Sequence, residues 1–573
     1  MTSTPSPDTS PIFQLADRFV DESSALDPLS ATNRGIDGFD HLMTDYSPEA
    51  IEARADHLRR TVVELGRLGA ASPDDRLAKD FMTERFESAL ALHDTGEWMR
   101  PVRALAAPFS AIRSVFDLMD RNGDGAWQNI AARLTAIPAA LGGLQRTLDV
   151  GRNAGVVASR RQVEAVAAQC AQWADDRWFD VLTNEARIGA GPDGSLDAGT
   201  VELVEQGAGA AVQAYASMAR YLRGEYLADA TPVDACGPER YAANSRTMNG
   251  ADLDPREMYE WAWHEYATLR AEIDKVCEQI VPGAGFAEVR NQLDTDPARL
   301  VRGVDAYRAW LQATTDEALR RSAAHFDIPE VMNRCEAHIP PAGSAAAPYY
   351  TEPSEDFARP GRTWYPTLGR TEFATWGDVT TCYHESVPGH HLQIGYTRLQ
   401  ADKLSRFQRG AFVSGHGEGW ALYAERLCDE LGWFDNPDHR LGFLCGQQLR
   451  AVRVIIDIGM HLGHRIPAGT TLSDGTAFHA GEVWNAELAL EFIISETGQG
   501  DEFLRSEIDR YLGWPAQAIS YKIGEREWLA ARADARSRLG ARFDLRRFHT
   551  FALSLGPVGL AQLRTEIAAF EAV

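Results

Sequence analysis

A histidine–glutamate pair followed within two helical turns by two more histidines suggests a metal centre. The segment reads Thr381-Cys382-Tyr383-His384-Glu385-Ser386-Val387-Pro388-Gly389-His390-His391-Leu392-Gln393. Imidazole nitrogens and carboxylate oxygens are natural zinc ligands. In the usual zinc-peptidase helix the two histidines sit at i and i+4. That spacing puts them about 40° apart around the axis and about 6 Å along it, within reach of one ion. The glutamate beside the first histidine then faces the water to be activated.

This segment departs from that spacing. Position i+4 is Pro388. His390, at i+6, falls about 240° round a regular helix, and His391, at i+7, returns to the face but about 10.5 Å along the axis. Pro388 lacks an amide donor and Gly389 tolerates unusual dihedral angles, so the helix can deform here. A two-residue bulge would carry His390 back to the face of His384. His384 and His390 are therefore the expected ligands. His391 is either the alternative second ligand or a group supporting the first.

A third ligand usually comes from another helix and leaves one position for water. Gly415-His416-Gly417-Glu418-Gly419-Trp420-Ala421-Leu422-Tyr423-Ala424-Glu425 supplies two candidates seven apart on one helix face. Glu418 follows glycines that let two backbones approach, and is the expected ligand. Glu425 is the alternative, or hydrogen-bonds a ligating histidine. The apolar Trp420, Ala421 and Leu422 between them weaken the reading of a solvated acidic face.

The run H-E-x-x-P-G-H-H-L-Q at 384–393, followed by E-G-W-A-L-Y-A-E at 418–425, resembles a bacterial family of unassigned function. That family is placed with the gluzincins, zinc peptidases whose ligands are two histidines and one glutamate. The resemblance covers most of the chain, with its motifs between residue 340 and the end. It implies a mostly helical fold around a deep cleft, similar to oligopeptidases and dipeptidyl carboxypeptidases. Glu418-Gly419-Trp420-Ala421 is similar to the E-G-F-A that carries the third ligand in aminopeptidases of the clan. A related helix insertion occurs in a dipeptidyl peptidase family of the same clan. The resembling peptidases also carry, after the metal site, a tyrosine that donates to the tetrahedral intermediate. Tyr521 fits that order along the chain, although a packed structural tyrosine fits it too.

Residues 449–461 read LRAVRVIIDIGMH, apolar nearly all round. Yet Arg450, Arg453, Asp457 and His461 recur at spacings of three, four and four, as one polar stripe on a buried helix. Buried charge is costly unless paired or used. Either an internal Arg–Asp pair holds helices together, or the stripe lines the substrate site. In the second case Arg450 or Arg453 binds a peptide carboxylate and His461 stabilises the oxyanion. Lys522 is a further candidate for binding substrate, and Tyr349 and Tyr350 are alternatives to Tyr521 as the tyrosine that donates to the intermediate.

The expected protein is thus a hydrolase holding one Zn2+ ion on His384, His390 and Glu418. Glu385 acts as general base, a role worth about 10²–10⁴-fold in rate, with Tyr521 or His461 at the oxyanion. The substrate is a short peptide. A non-peptide amide of specialised metabolism is a second reading, and a non-catalytic metal-binding protein a third.

The elements that must position these groups read as helices. Ser47-Pro48-Glu49 opens a helix to about Leu68, and another pattern covers residues 160–186. Asp254-Pro255-Arg256-Glu257 combines a capping aspartate, proline at the first helical position and an acid in the first turn. Ala262, Tyr266, Leu269, Ile273 and Val276 then form one apolar face. The best strand candidate is Arg370–Trp376. The stretches 187–199, 230–253, 340–369 and 464–476 read as connections. Asp120-Arg121-Asn122-Gly123-Asp124-Gly125 copies half an EF-hand loop, but Ala131 stands where the bidentate glutamate belongs, so a polar turn between helices is expected. His264-Glu265 has no second histidine nearby. The expected organisation is a disordered 1–12, a helical region 13–250 and a helical catalytic region 251–573, mainly α with at most a small β-sheet near the metal.

Composition narrows the partners. Lys and Arg total 57 against 82 Asp and Glu, a net charge of −25. Such a chain repels phosphate backbones and anionic membranes. The charge serves solubility, or steers cationic substrates. The N-terminus lacks the basic start and apolar run of a secretory signal, and no apolar stretch reaches membrane-spanning length. Seven scattered cysteines without a C-x-x-C pair argue against a disulfide framework. A cytoplasmic protein is expected.

Overall fold

The computed structural model describes residues 10–190, 196–340, 347–354 and 357–571. The chain is mainly α, with two small sheets among the described residues. It folds as two units. The first comprises 1–71, 86–240 and 512–514; the second comprises 72–85, 241–511 and 515–573.

In the first unit, Ser10 caps the helix Pro11–Leu26, accepting from the Phe13 amide. Ile12 is fully buried, so 10–12 are not the disordered tail expected there, and residues 1–9 lie outside the described residues. Ser47 caps Pro48–Arg67 as expected, its hydroxyl accepting from Ala50. The helices Asp124–Ala154 and Ala198–Tyr221 pack closely where Gly207 meets Leu134; a Cβ there would lie 2.7 Å from the Leu134 Cβ. Asp120 closes the EF-hand look-alike as a turn, accepting from the Asn122 amide. The pattern at 160–186 is two helices, Arg160–Asp175 and Asp180–Gly189, parted where Arg177 takes a positive φ of 49°.

The second unit holds every group expected to do chemistry. Its helix Pro255–Ile280 is capped by Asp254, which accepts from the Arg256 and Glu257 amides, and buries the predicted face Ala262, Tyr266, Leu269, Ile273 and Val276. The stretch 230–253 is more than a connection, since Pro238–Asn249 is helical within it. Strand β1 (Leu300–Arg302) and strand β5 (Glu372–Ala374) pair antiparallel, Leu300 opposite Ala374. Strand β2 (Cys335–His338) lies parallel to β4 (Gly361–Trp364), which also pairs antiparallel with β3 (Tyr349–Thr351). The described part of 340–369 is therefore partly sheet, not only loop. Strand β5 runs through one 3-10 turn, Thr375–Gly377, into the first histidine helix, Asp378–Glu385. Tyr307 stacks on Phe373 at 3.9 Å and donates to Asp378, joining strand to helix.

Four more helices frame the site: a second histidine helix His390–Leu399, a glutamate helix Ser414–Glu430, an arginine helix Pro437–Leu462 and a tyrosine helix Ser520–Leu539. The glutamate and tyrosine helices touch backbone to backbone. A Cβ on Gly524 would fall 2.0 Å from the Gly415 carbonyl oxygen, and one on Gly419 2.4 Å from the Gly524 Cα. The arginine helix comes equally close to the turn after β5, where a Cβ on Gly442 would meet the Trp376 carbonyl at 2.2 Å. Among the described residues no helix is long and apolar enough to cross a membrane.

Candidate metal centre

The helix carrying His384 ends one residue later. Ser386 adopts φ −99°, ψ −115°, Gly389 adopts φ −76°, ψ −129°, and a new helix starts at His390. The expected two-residue bulge is thus a break between two helices. Gly389 folds back so that its amide donates to the Tyr383 carbonyl at 3.0 Å, and the His391 amide donates to Ser386. A Cβ on Gly389 would sit 1.9 Å from the His384 carbonyl oxygen, so only glycine fits. Trp420 of the glutamate helix donates its indole N–H to the Pro388 carbonyl at 2.8 Å, pinning the break from outside.

The break brings His384 and His390 together, their rings 4.8 Å apart and nearly perpendicular. Glu418 Oε2 lies 3.3 Å from His384 Nε2 and 3.5 Å from His390 Nε2. One ligand atom from each of the three residues falls within 4.8 Å of the others. His391 is not part of this group: its Nε2 is 2.9 Å from the Met332 carbonyl and its Nδ1 3.0 Å from the Tyr350 hydroxyl. Tyr350 is therefore spent on His391. Glu425 Oε1 is 2.7 Å from His384 Nδ1, and Thr380 donates to the other Glu425 oxygen. Exposure separates the two glutamates. The Glu425 side chain is 1 % exposed, behind His384, whereas Glu418 keeps 15 %.

The donor set fits a divalent cation. Two imidazoles and one carboxylate form a common zinc set, with a carboxylate orienting one ligating imidazole from behind. Glu418 Oε2 and His390 Nδ1 are buried and lack hydrogen-bond partners, and that Glu418 oxygen is the one aimed between the imidazoles. The electrostatics agree. Burial alone would lower the pKa of His384, but Glu418 and Glu425 overcome it and raise it to about 9. Burial would likewise raise Glu418, yet the two imidazoles hold it well below the ordinary carboxylate range. The cluster draws positive charge, and a metal ion competes with protons for it.

Glu385 is buried, and burial raises its pKa despite the neighbouring His384, His390 and Arg450. Tyr521 stands over His384 with ring centroids 6.4 Å apart, and the Arg453 guanidinium lies 5.0 Å from the Tyr521 ring centroid. Arg453 is otherwise committed, donating to the Tyr511 hydroxyl at 2.8 Å and to Glu507 at 2.7 Å. Its acidic partner is Glu507 rather than Asp457. Asp457 instead accepts from the Tyr241 hydroxyl and the Ala516 amide. His461 Nε2 meets the Tyr511 carbonyl at 3.1 Å, and its ring lies 5.7 Å from that of Tyr241. Lys522 is 1 % exposed and bound by Gln447, Glu525 and Glu265, which leaves nothing for a substrate. The Glu265 of the His264-Glu265 pair also binds Arg426.

The fold recurs beyond this chain. A family model described as "Bacterial protein of unknown function (DUF885)" matches residues 28–567. A solved structure from Colwellia psychrerythraea, called "the putative lipoprotein", aligns with a TM-score of 0.84 at 22% identity over 98% of this chain and 99% of that one. A second, "a putative lipoprotein of unknown function" from Shewanella oneidensis, aligns with a TM-score of 0.74 at 16% identity over 98% and 100%. At these identities the likeness is one of fold. No curated protein matches.

Proposed function

This chain belongs to the bacterial DUF885 family, and from that premise we propose that it is a zinc-dependent hydrolase of the gluzincin type, cleaving amide bonds of short peptides. One observation carries the reading. His384, His390 and Glu418, from three separate helices, present donor atoms within 4.8 Å of one another, with Glu385 adjacent in the chain. A zinc ion held there would polarise a scissile carbonyl and acidify a water.

The chain's own residues do the rest. Glu385, whose carboxylate burial makes the more basic, takes in its ionised form a proton from the attacking water and passes it to the leaving amine. Tyr521, standing over His384, offers a phenolic O–H to the developing oxyanion. Glu425 holds the His384 imidazole so that Nε2 faces Glu418. Arg453, anchored by Glu507, steadies the Tyr521 ring from beside it.

The test is elemental analysis joined to assay. Wild-type protein should carry about one zinc per chain, His384→Ala, His390→Ala and Glu418→Ala should lose it, and His391→Ala should keep it. Glu385→Gln should keep the metal and lose at least about 10²-fold in turnover of blocked and free di- to decapeptides. Metal retention by all three ligand variants, or full activity of Glu385→Gln, would overturn the reading. Turnover of a non-peptide amide alone would move the substrate class and leave the chemistry in place.

A further inference from the structure

The polar stripe of the arginine helix has one member left over. Arg453 is spent on Glu507 and Tyr511, Asp457 on Tyr241 and the Ala516 amide, and His461 on the Tyr511 carbonyl. Among the described residues Arg450 hydrogen-bonds only the Gly446 carbonyl of its own helix, one turn back, at 3.1 Å. Its Nε is buried without a partner, and no carboxylate of the described residues forms an ion pair with it. A guanidinium offers five donors in a rigid fork that matches a carboxylate. One buried donor without a partner is costly unless something else satisfies it.

Arg450 also stands in the right place. A Cβ on Gly446 would lie 2.9 Å from its Nη1 and 3.9 Å from Glu425 Oε2, so the guanidinium and the carboxylate that holds His384 both border the Gly446 position. Its charge acts on Glu385, though the two are not paired. Gly446 has no side chain to stand between Arg450 and Glu425. With a net charge of −25, the chain as a whole discourages anions, so a cation near the proposed metal centre with no acidic partner among the described residues marks a local exception.

We infer that Arg450 is the anchor for a substrate carboxylate, so that the site takes acyl-amino acids or peptides with a carboxylate close to the scissile amide. This rests on the hydrolase reading for the reaction, but the anion site itself does not need the metal. A free C-terminus and an acidic side chain share this chemistry. The first would make the protein a C-terminal trimming enzyme, the second an enzyme selective for Asp or Glu beside the cut.

The test uses benzoylglycine and its neutral counterpart benzoylglycinamide, with binding measured by calorimetry on zinc-loaded and zinc-stripped protein. Wild type should prefer the carboxylate by at least about tenfold in both states. Arg450→Gln should abolish the preference in the stripped state, with zinc content and melting temperature unchanged, and Arg450→Lys should retain part of it. No preference in stripped wild type, or an equal preference in Arg450→Gln, would overturn the inference. Zinc content of the same samples reports separately on the metal reading. Benzoyl-aspartate α-amide, whose only free carboxylate is on the side chain, then distinguishes the sources: binding like benzoylglycine points to an acidic side chain, and binding like benzoylglycinamide points to the C-terminus.

Discussion

Glu425 Oε1 lies 2.7 Å from His384 Nδ1, at the end of a relay in which Thr380 donates to the other carboxylate oxygen. The contact fixes which imidazole nitrogen is left for Glu418 and a cation. It also supplies negative charge behind the ligand, which raises the imidazole's basicity. Glu425→Ala should therefore weaken zinc binding by about 10–100-fold without removing any expected ligand. Glu425→Gln, whose amide oxygen still accepts from Nδ1, should lose less. Competition with a chelator of known affinity measures both. Equal affinity in wild type and the Ala variant would leave Glu425 a packing residue.

The close fold-back at Gly389 makes a sharper demand. An added Cβ meets the His384 and Tyr383 carbonyl oxygens at 1.9 and 2.5 Å, and both are backbone atoms that can move only if the histidine helix moves. Gly389→Ala should cost more than about 2 kcal/mol in stability and release the metal. Chemical denaturation together with zinc analysis reads both effects. Wild-type stability and zinc content in this variant would mean that the break between the two helices is more pliant than its hydrogen bonds suggest.

How much of this was legible in the sequence follows from how local each cause is. Ser47 and Asp254 announce their helices because capping is settled within four residues, and the face from Ala262 to Val276 is settled by periodicity. That His384, His390 and Glu418 come together was legible because His, Glu and Gly are chemically specific, even where their spacing is irregular. The form of the break was not, because it depends on Gly389 meeting carbonyls behind it and on Trp420 reaching Pro388 across 32 residues. The same distance problem hid the partners of the arginine helix. Arg453 meets Glu507 54 residues on, and His391 meets Met332 59 residues back. Strands β3 and β4 escaped notice because three- and four-residue strands are defined by their partners. The split at Arg177 has no glycine or proline to mark it.

Asp457 gives a prediction independent of any metal. It is fully buried, one oxygen accepts from Tyr241 and the Ala516 amide, and the other has no partner. Burial lifts its pKa from the ordinary 3.8 to about 7, against the pull of those hydrogen bonds and of Arg510. The folded chain therefore keeps a proton that the unfolded chain gives up. The stabilisation is complete below the ordinary value and is lost as pH rises through about 7. Asp457→Asn keeps the shape and the accepting oxygen but has no proton to lose. Its stability relative to wild type should climb between pH 5 and 7 by up to about 1.4 kcal/mol per pH unit, then level off above about 8. Denaturation curves for both proteins across that range decide it. A difference that stays flat with pH would mean that Asp457 is ionised in the fold throughout, with a cation or water beside its free oxygen.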